Sequence, residues 1–273
     1  MTYILIDTSY LIFYRYFALL QWWKFSNPNN PLPDDPYESK EFVDKFKKMI
    51  LESVIKLKLK LKLKKEKVTV IAARDCPRKE IWRNSLYPKY KETRDKDDKF
   101  MGGNFFKMVY ENENDILFKA GVDYIFKNDN IEADDVIAIT KNILRQKYSQ
   151  EKIIIIANDH DYLQLLDDNT SIINLQNKNL KDNKKAYVEG KKNLFIKIIL
   201  GDKSDCIDPV LKKCNVKMAE FYYENNDKFL EALDKENAYN KFELNNKLIN
   251  FSEIPLGLVD NFIKKYENVF KDL

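Results

Sequence analysis

Apolar residues in this chain follow two rhythms. Tyr3-Ile-Leu-Ile6, Val68–Ala73 and Ile153–Ala157 are short, β-branched and nearly unbroken. Runs of this kind predict strands buried on both faces, the mark of a parallel sheet. Val122–Phe126 and Ser171–Leu175 predict two more strands. The second rhythm is helical. Phe42, Phe46, Ile50, Val54, Leu57 and Leu61 recur at three- and four-residue spacing, with Glu38 or Ser39 placed to start the helix. An aromatic segment from Asp7 to Phe25 predicts a helix against the sheet, and Glu132–Gln146 and Asn193–Leu200 predict two others. Lys56–Lys64 alternates strictly, a strand signal on its own. Helical phase carries through Leu57 and Leu61, however, and Val68 already opens the next strand, so a helix fraying into a basic loop is expected. Beyond Gly201 the chain is polar and helical in pattern. Alternating strands and helices followed by a helical tail predict an α/β fold: a mainly parallel central sheet flanked by helices. Residues 1–200 would form this domain, with an arch at about 76–110, and residues 201–273 a small helical lobe.

The polar residues that end the apolar runs change the picture. Asp7, Asp75 and Asp159 each follow a predicted strand. Ligands of parallel sheets bind just beyond the carboxyl ends of the strands. Three carboxylates gathered there need positive charge among them, and a hard divalent cation supplies it. Further acids adjoin: Glu132, Asp134 and Asp135 at a helix start, Asp161 on the turn after Asp159, and Asp202 and Asp205 after Gly201. Each has an ordinary structural reading as a helix-start acid, a turn former or a cap. Nine of them converging on one sheet end favours two cations about 4 Å apart beside a phosphate substrate.

Composition narrows the class. Hydrophobic residues make up 44% and charged residues 33%, enough for a buried core, and no run approaches a membrane span. The first strand begins almost at Met1, without a basic lead or cleavage signal, so no secretory leader is expected. Cys76, Cys206 and Cys214 are unpatterned, which fits an intracellular, reducing compartment. With His160 the sole histidine, a structural zinc site is not expected. Net charge is +4, and the segment Arg78–Arg94 carries that much by itself: Arg78, Lys79, Arg83, Lys89, Lys91 and Arg94 against Glu80 and Glu92. Trp82, Tyr87 and Tyr90 interleave with these cations. Basic groups neutralise phosphates while aromatic faces stack on bases; a solvated helix with buried aromatics has the same composition.

In order and wording the motifs resemble the 5′-nuclease family of bacterial DNA polymerase I N-terminal domains, phage 5′-exonucleases and flap endonucleases, with its PIN-like fold. The resemblance rests on Tyr3–Ser9, Lys79–Arg94, Ile131–Ile137, Ala157–Leu165 and Leu200–Ile207. It implies a structure-selective 5′-3′ exonuclease or flap endonuclease that hydrolyses DNA with two Mg²⁺ (or Mn²⁺) in replication, repair or recombination. Asp7, Asp75, Glu132 and Asp134 would hold one ion with Asp135 beside them; Asp159, Asp161 and Asp205 would hold the other, with Asp202 acting through water. Lys79 and Arg83 would reach the scissile phosphate. Arg78, Trp82, Tyr87, Lys89, Tyr90, Lys91 and Arg94 would contact nucleic acid from an arch that the polar stretch Asp95–Lys99 and Gly102-Gly103 leave mobile. Implied partners are DNA flaps, nicks or gaps, RNA–DNA included, and replication proteins; the chain would act as a monomer, without a membrane, in the cytoplasm or nucleus of a cell or of a virus's host. A relative cutting mainly RNA, or a non-catalytic binder of nucleic-acid structures, remains an alternative.

One stretch departs from the family. No glycine stands between Gly201 and Gly257, where a glycine-rich hairpin holding potassium and duplex phosphates would fall. Backbone without glycine reaches φ > 0 and close phosphate approach only with difficulty. The potassium site is therefore expected to be lost or weak, with Lys212, Lys213 and Lys217 taking over duplex contacts.

Overall fold

β-branched residues fill the three central strands of a five-stranded sheet because both faces of those strands are covered. The structure, a computed structural model, describes residues 1–64, 66–96, 100–111, 115–184 and 186–273. Its elements are β1 (Thr2–Asp7), α1 (Thr8–Ser26), α2 (Lys40–Lys60), β2 (Val68–Ala73), α3 (Arg83–Leu86), α4 (Gly103–Tyr110), α5 (Ile116–Lys119) and β3 (Tyr124–Phe126). There follow α6 (Ala133–Lys147), β4 (Lys152–Ile156), β5 (Thr170–Ile173), α7 (Gly190–Leu200), α8 (Val216–Glu224), α9 (Asn226–Glu236), α10 (Tyr239–Ile249), α11 (Leu256–Lys265) and α12 (Glu267–Asp272). As the helical phase through Leu57 and Leu61 suggested, α2 runs to Lys60 and the lysine-leucine tract does not turn into a strand.

All five strands are parallel, in the order β3-β2-β1-β4-β5. Side chains alternate across the sheet with a period of two. Ile4, Ile6, Val70, Ala72, Ile154 and Ile156 face α1, α2, α4 and α5. Tyr3, Leu5, Ile71, Ala73, Ile153 and Ile155 face α6, α11 and α12. Register then sets the site: Ile6 lies opposite Ala72 and Ile156, so the acids just beyond β1, β2 and β4 emerge at one edge.

The carboxyl-terminal part packs in more than one direction. Helices α7 to α9 close a small core around Ile199, Ala219, Phe229 and Leu233. The last two helices instead return to the sheet: Phe262 and Phe270 pack on Phe126, with ring centroids 5.7 and 5.4 Å apart, and the Tyr3 hydroxyl donates to Leu273 O at 3.1 Å. The stretch 201–273 expected as one lobe thus serves three cores, the third joining Ile207, Leu248 and Ile249 to Cys76, Ile81 and Tyr90.

Candidate active site

The chain steps from β1 to β2 and β3 on one side and from β4 to β5 on the other, so β1 and β4 flank the switch point where such sheets bind ligands. A cleft of about 550 Å³ opens there. Seven of the nine sequence-picked acids line it: Asp7, Asp75, Glu132, Asp134, Asp159, Asp161 and Asp205. Asp135 lies beneath, wholly buried, and Asp202 sits on the turn behind Asp205.

Local structure aims each one. Asp7 caps α1, accepting from Tyr10 N at 2.9 Å and from the Tyr162 hydroxyl at 2.9 Å. Asp75 accepts from Ala133 N at 2.8 Å, at the positive end of α6, and from the Ser9 hydroxyl. Asp159 caps the 3₁₀ turn His160–Leu165 through Asp161 N at 3.0 Å. Gly201, at φ 68°, ends α7 where a Cβ would lie 2.3 Å from Ile207 O, and so lets the chain fold back through Asp202. Oxygens of Glu132, Asp134 and Asp135 come within 4.8 Å of one another, as do those of Asp161, Asp202 and Asp205.

Crowding shifts the acids. Burial and the charge of Asp75 push Asp7 up to about 7. Burial and Asp159 push Asp161 up to about 7 against the pull of Lys197. Burial also raises Asp75, and burial with Glu132 and Asp135 raises Asp134. Glu132 moves the other way, because Lys91 and Arg83 outweigh its burial. Opposite the seven acids, Arg78, Lys91 and Arg94 are the basic residues lining the cleft among the described residues. The surplus of negative charge, all on oxygen, fits hard divalent cations.

Arg83 departs from expectation. It is 1% exposed, bidentate to Asp135 at 2.7 and 2.8 Å, bound to Glu132 at 3.1 Å and donating to Leu248 O at 2.7 Å. A guanidinium with its donors so engaged does not face a phosphate; Arg83 is a positioning residue that ties the acidic helix start to α10. Trp82 and Tyr90 are likewise buried, donating to Asp135 at 3.1 Å and Glu132 at 3.0 Å, so neither presents a ring to a base. Lys91 is buried against Glu132, and Arg94 pairs with Asp205 at 2.6 Å. Tyr87 donates to Cys206 O at 3.1 Å. Lys79 is exposed on the turn Arg78–Glu80, next to the cleft-lining Arg78. Lys89, Lys212, Lys213 and Lys217 are exposed and lie outside the cleft lining. Of the polar stretch Asp95–Lys99, residues 97–99 and the side chains of 95 and 96 lie outside the described residues. The glycine-free segment does reach left-handed backbone, at Cys206 (φ 61°) and Lys213 (φ 56°). His160 is exposed beside Asn183, away from the cleft lining.

Three participants escaped the sequence reading. Ser9 and Tyr162 hold Asp75 and Asp7, respectively, through neutral hydroxyls, and Lys197 lies 2.6 Å from Asp161 and 2.5 Å from Asp202. Their proximity to the motifs was the available signal: Ser9 follows Asp7 by two, Tyr162 follows Asp161, and Lys197 closes the helix before Asp202.

Fold and cleft together define an α/β protein with an oxygen-donor centre at its sheet switch point. The family described as 5′-3′ exonuclease, N-terminal resolvase-like domain, matches residues 2–193, and the chain belongs to it. Among solved structures it is similar to the T5 5′-exonuclease with divalent zinc ions bound: TM-score 0.66, 16% identity, 99% of this chain and 100% of that one. It is also similar to the T5 D15 protein co-crystallised with metal ions (TM-score 0.65, 16% identity, 98% and 99% covered). The bacteriophage T5 D15 flap endonuclease, in a pseudo-enzyme-product complex with DNA and metal ions, matches at TM-score 0.62 and 16% identity over 99% and 100% of the two chains. No curated protein matches by sequence. No helix among the described residues is long and apolar enough to cross a membrane.

Proposed function

We propose that this protein is a divalent-cation-dependent 5′-nuclease that hydrolyses DNA phosphodiesters near 5′ ends, flaps, nicks or gaps. The observation that carries the proposal is the excess of seven carboxylates over three cationic side chains around one cleft at the switch point. Asp7, Asp75, Glu132 and Asp134 would hold one ion, with Asp135 locked beneath by Arg83. Asp159, Asp161 and Asp205 would hold the other, with Asp202 acting through water. Bound Mg²⁺ or Mn²⁺ supplies an acidified water and charge for the leaving oxygen.

The chain's own groups do the rest. Ser9 and Tyr162 donate hydroxyl hydrogens that keep Asp75 and Asp7 turned toward the cleft. Arg78 in the lining and Lys79 on the same turn provide fixed positive charge for the phosphate as negative charge builds. Tyr10, Phe13, Phe100 and Phe106 form an aromatic wall on which an unpaired base can stack without sequence preference. Lys212, Lys213 and Lys217 contact duplex phosphates in place of backbone amides, and potassium contributes little. Replication proteins would deliver the substrate to a monomeric enzyme.

Matched all-DNA, all-RNA and RNA–DNA chimeric flaps incubated with Mg²⁺ test this reading. Cleavage near the junction of the DNA flap is the expected result. Cutting confined to RNA, or metal-independent binding with no cutting of any substrate, would contradict it.

A further inference from the structure

Negative charge around the cleft is compensated unevenly. Among the described residues, Asp7, Asp75, Asp134 and Asp159 make no ion pair with lysine or arginine. Their partners are neutral: Tyr10 N and the Tyr162 hydroxyl for Asp7, Ala133 N and the Ser9 hydroxyl for Asp75, Asp135 N for Asp134, and Asp161 N for Asp159. Asp161, Asp202 and Asp205 are in the opposite condition. The Lys197 ammonium lies 2.6 Å from Asp161 Oδ1 and 2.5 Å from Asp202 Oδ2. Arg94 lies 2.6 Å and Lys91 3.7 Å from Asp205. Three carboxylates there meet three cationic side chains.

Resting on the two-ion reading above, we infer that Lys197 is a built-in competitor for the cation at Asp161, Asp202 and Asp205, so that the two centres load unequally. An ammonium bridging two carboxylates supplies the charge a cation would supply, and an incoming ion must displace it. Lysine suits the task because its charge is a point on a flexible four-carbon stem, able to withdraw without breaking a planar fork. Its position is fixed by the fold: Lys197 stands in the last turn of α7, and the backbone reverses at Gly201 to bring Asp202 under it. The first ion therefore settles among Asp7, Asp75, Glu132 and Asp134, of which Glu132 alone meets cationic side chains, Lys91 at 2.5 Å and Arg83 at 3.1 Å. Arg94 is less suited to compete, since it holds one carboxylate of the group rather than two.

Mn²⁺ binding, followed by calorimetry and by loss of the free-ion electron paramagnetic resonance signal, tests this without nucleic acid or turnover. The wild type should show two unequal classes of site. Lys197→Met should tighten the weaker class at least about tenfold, because a half-buried carboxylate pair stripped of its cation seeks another, and should leave the tighter class unmoved. Lys197→Arg should keep the wild-type inequality. If the methionine variant does not fold, Lys197→Gln, which retains donors for Asp161 and Asp202, takes its place with the same expectation. A weaker class that stays put or weakens further when the charge is removed overturns the inference. Absence of Mn²⁺ binding in every variant overturns the two-ion reading of the cleft itself, a distinguishable result.

Discussion

Single side chains in this protein divide between those that meet substrate and those that hold the site in shape. Arg83 belongs to the second kind. Replacing it by methionine strands Asp135 in the core, and urea denaturation should show a loss of roughly 3–5 kcal/mol. Lys79→Ala should behave in the opposite way, leaving the unfolding midpoint in place while lowering the cleavage rate about 10²-fold, as removal of one charge-stabilising donor does. Composition could not tell the two apart. A basic segment looks the same whether its cations reach for phosphates or for the protein's own carboxylates, and the partners of Arg83 lie 49 and 52 residues away. Asp7 and Asp161 give the site a pH signature. Both are raised from 3.8 to about 7, so the folded protein holds their protons more tightly than the unfolded chain does. The stability this confers is full below about pH 3.8 and is lost as pH rises toward 7. The metal-free melting temperature should accordingly fall from pH 5 to pH 8, while Mg²⁺ affinity rises over the same interval because protons and ions compete. A melting temperature that rises with pH across that window would contradict the crowding of these acids.

At the scale of elements, the same residue can end a strand, cap a helix and serve the site. Asp7 closes β1 and caps α1. Asn retains capping ability where Ala does not, so Asp7→Asn and Asp7→Ala should both lose cleavage but differ by about 1 kcal/mol in stability. Above pH 7 the asparagine variant should melt higher than metal-free wild type, since it removes a charge that burial and Asp75 disfavour; chemical denaturation at pH 8 reads both effects. These strand ends were legible in the sequence because an apolar run closed by an acid leaves little choice: β1, β2 and β4 fall where the runs placed them, and seven acids meet as the sheet rule implies. Lys197 was not legible, because a lysine at a helix end is ordinary and its two carboxylates come from separate turns.

Over the whole molecule, the carboxyl-terminal residues show how far a pattern can reach. Amphipathic spacing in 256–273 says that one face is buried but not against what. Phe262, Phe270 and Leu273 in fact cover the sheet face occupied by Tyr3 and Phe126. Deleting residues 251–273 should therefore expose core and yield aggregated or molten protein by circular dichroism and gel filtration, whereas a separable lobe would leave the α/β part folded. Everything else rests on the claim that the acidic cleft at the switch point cuts phosphodiesters with bound cations. Cleavage of a 5′-labelled flap duplex by wild type and by Asp159→Asn, in Mg²⁺ and in EDTA, measures it most directly. Cutting near the junction that needs Mg²⁺ and disappears in the variant is the predicted result; cutting that persists in EDTA or in the variant would contradict it.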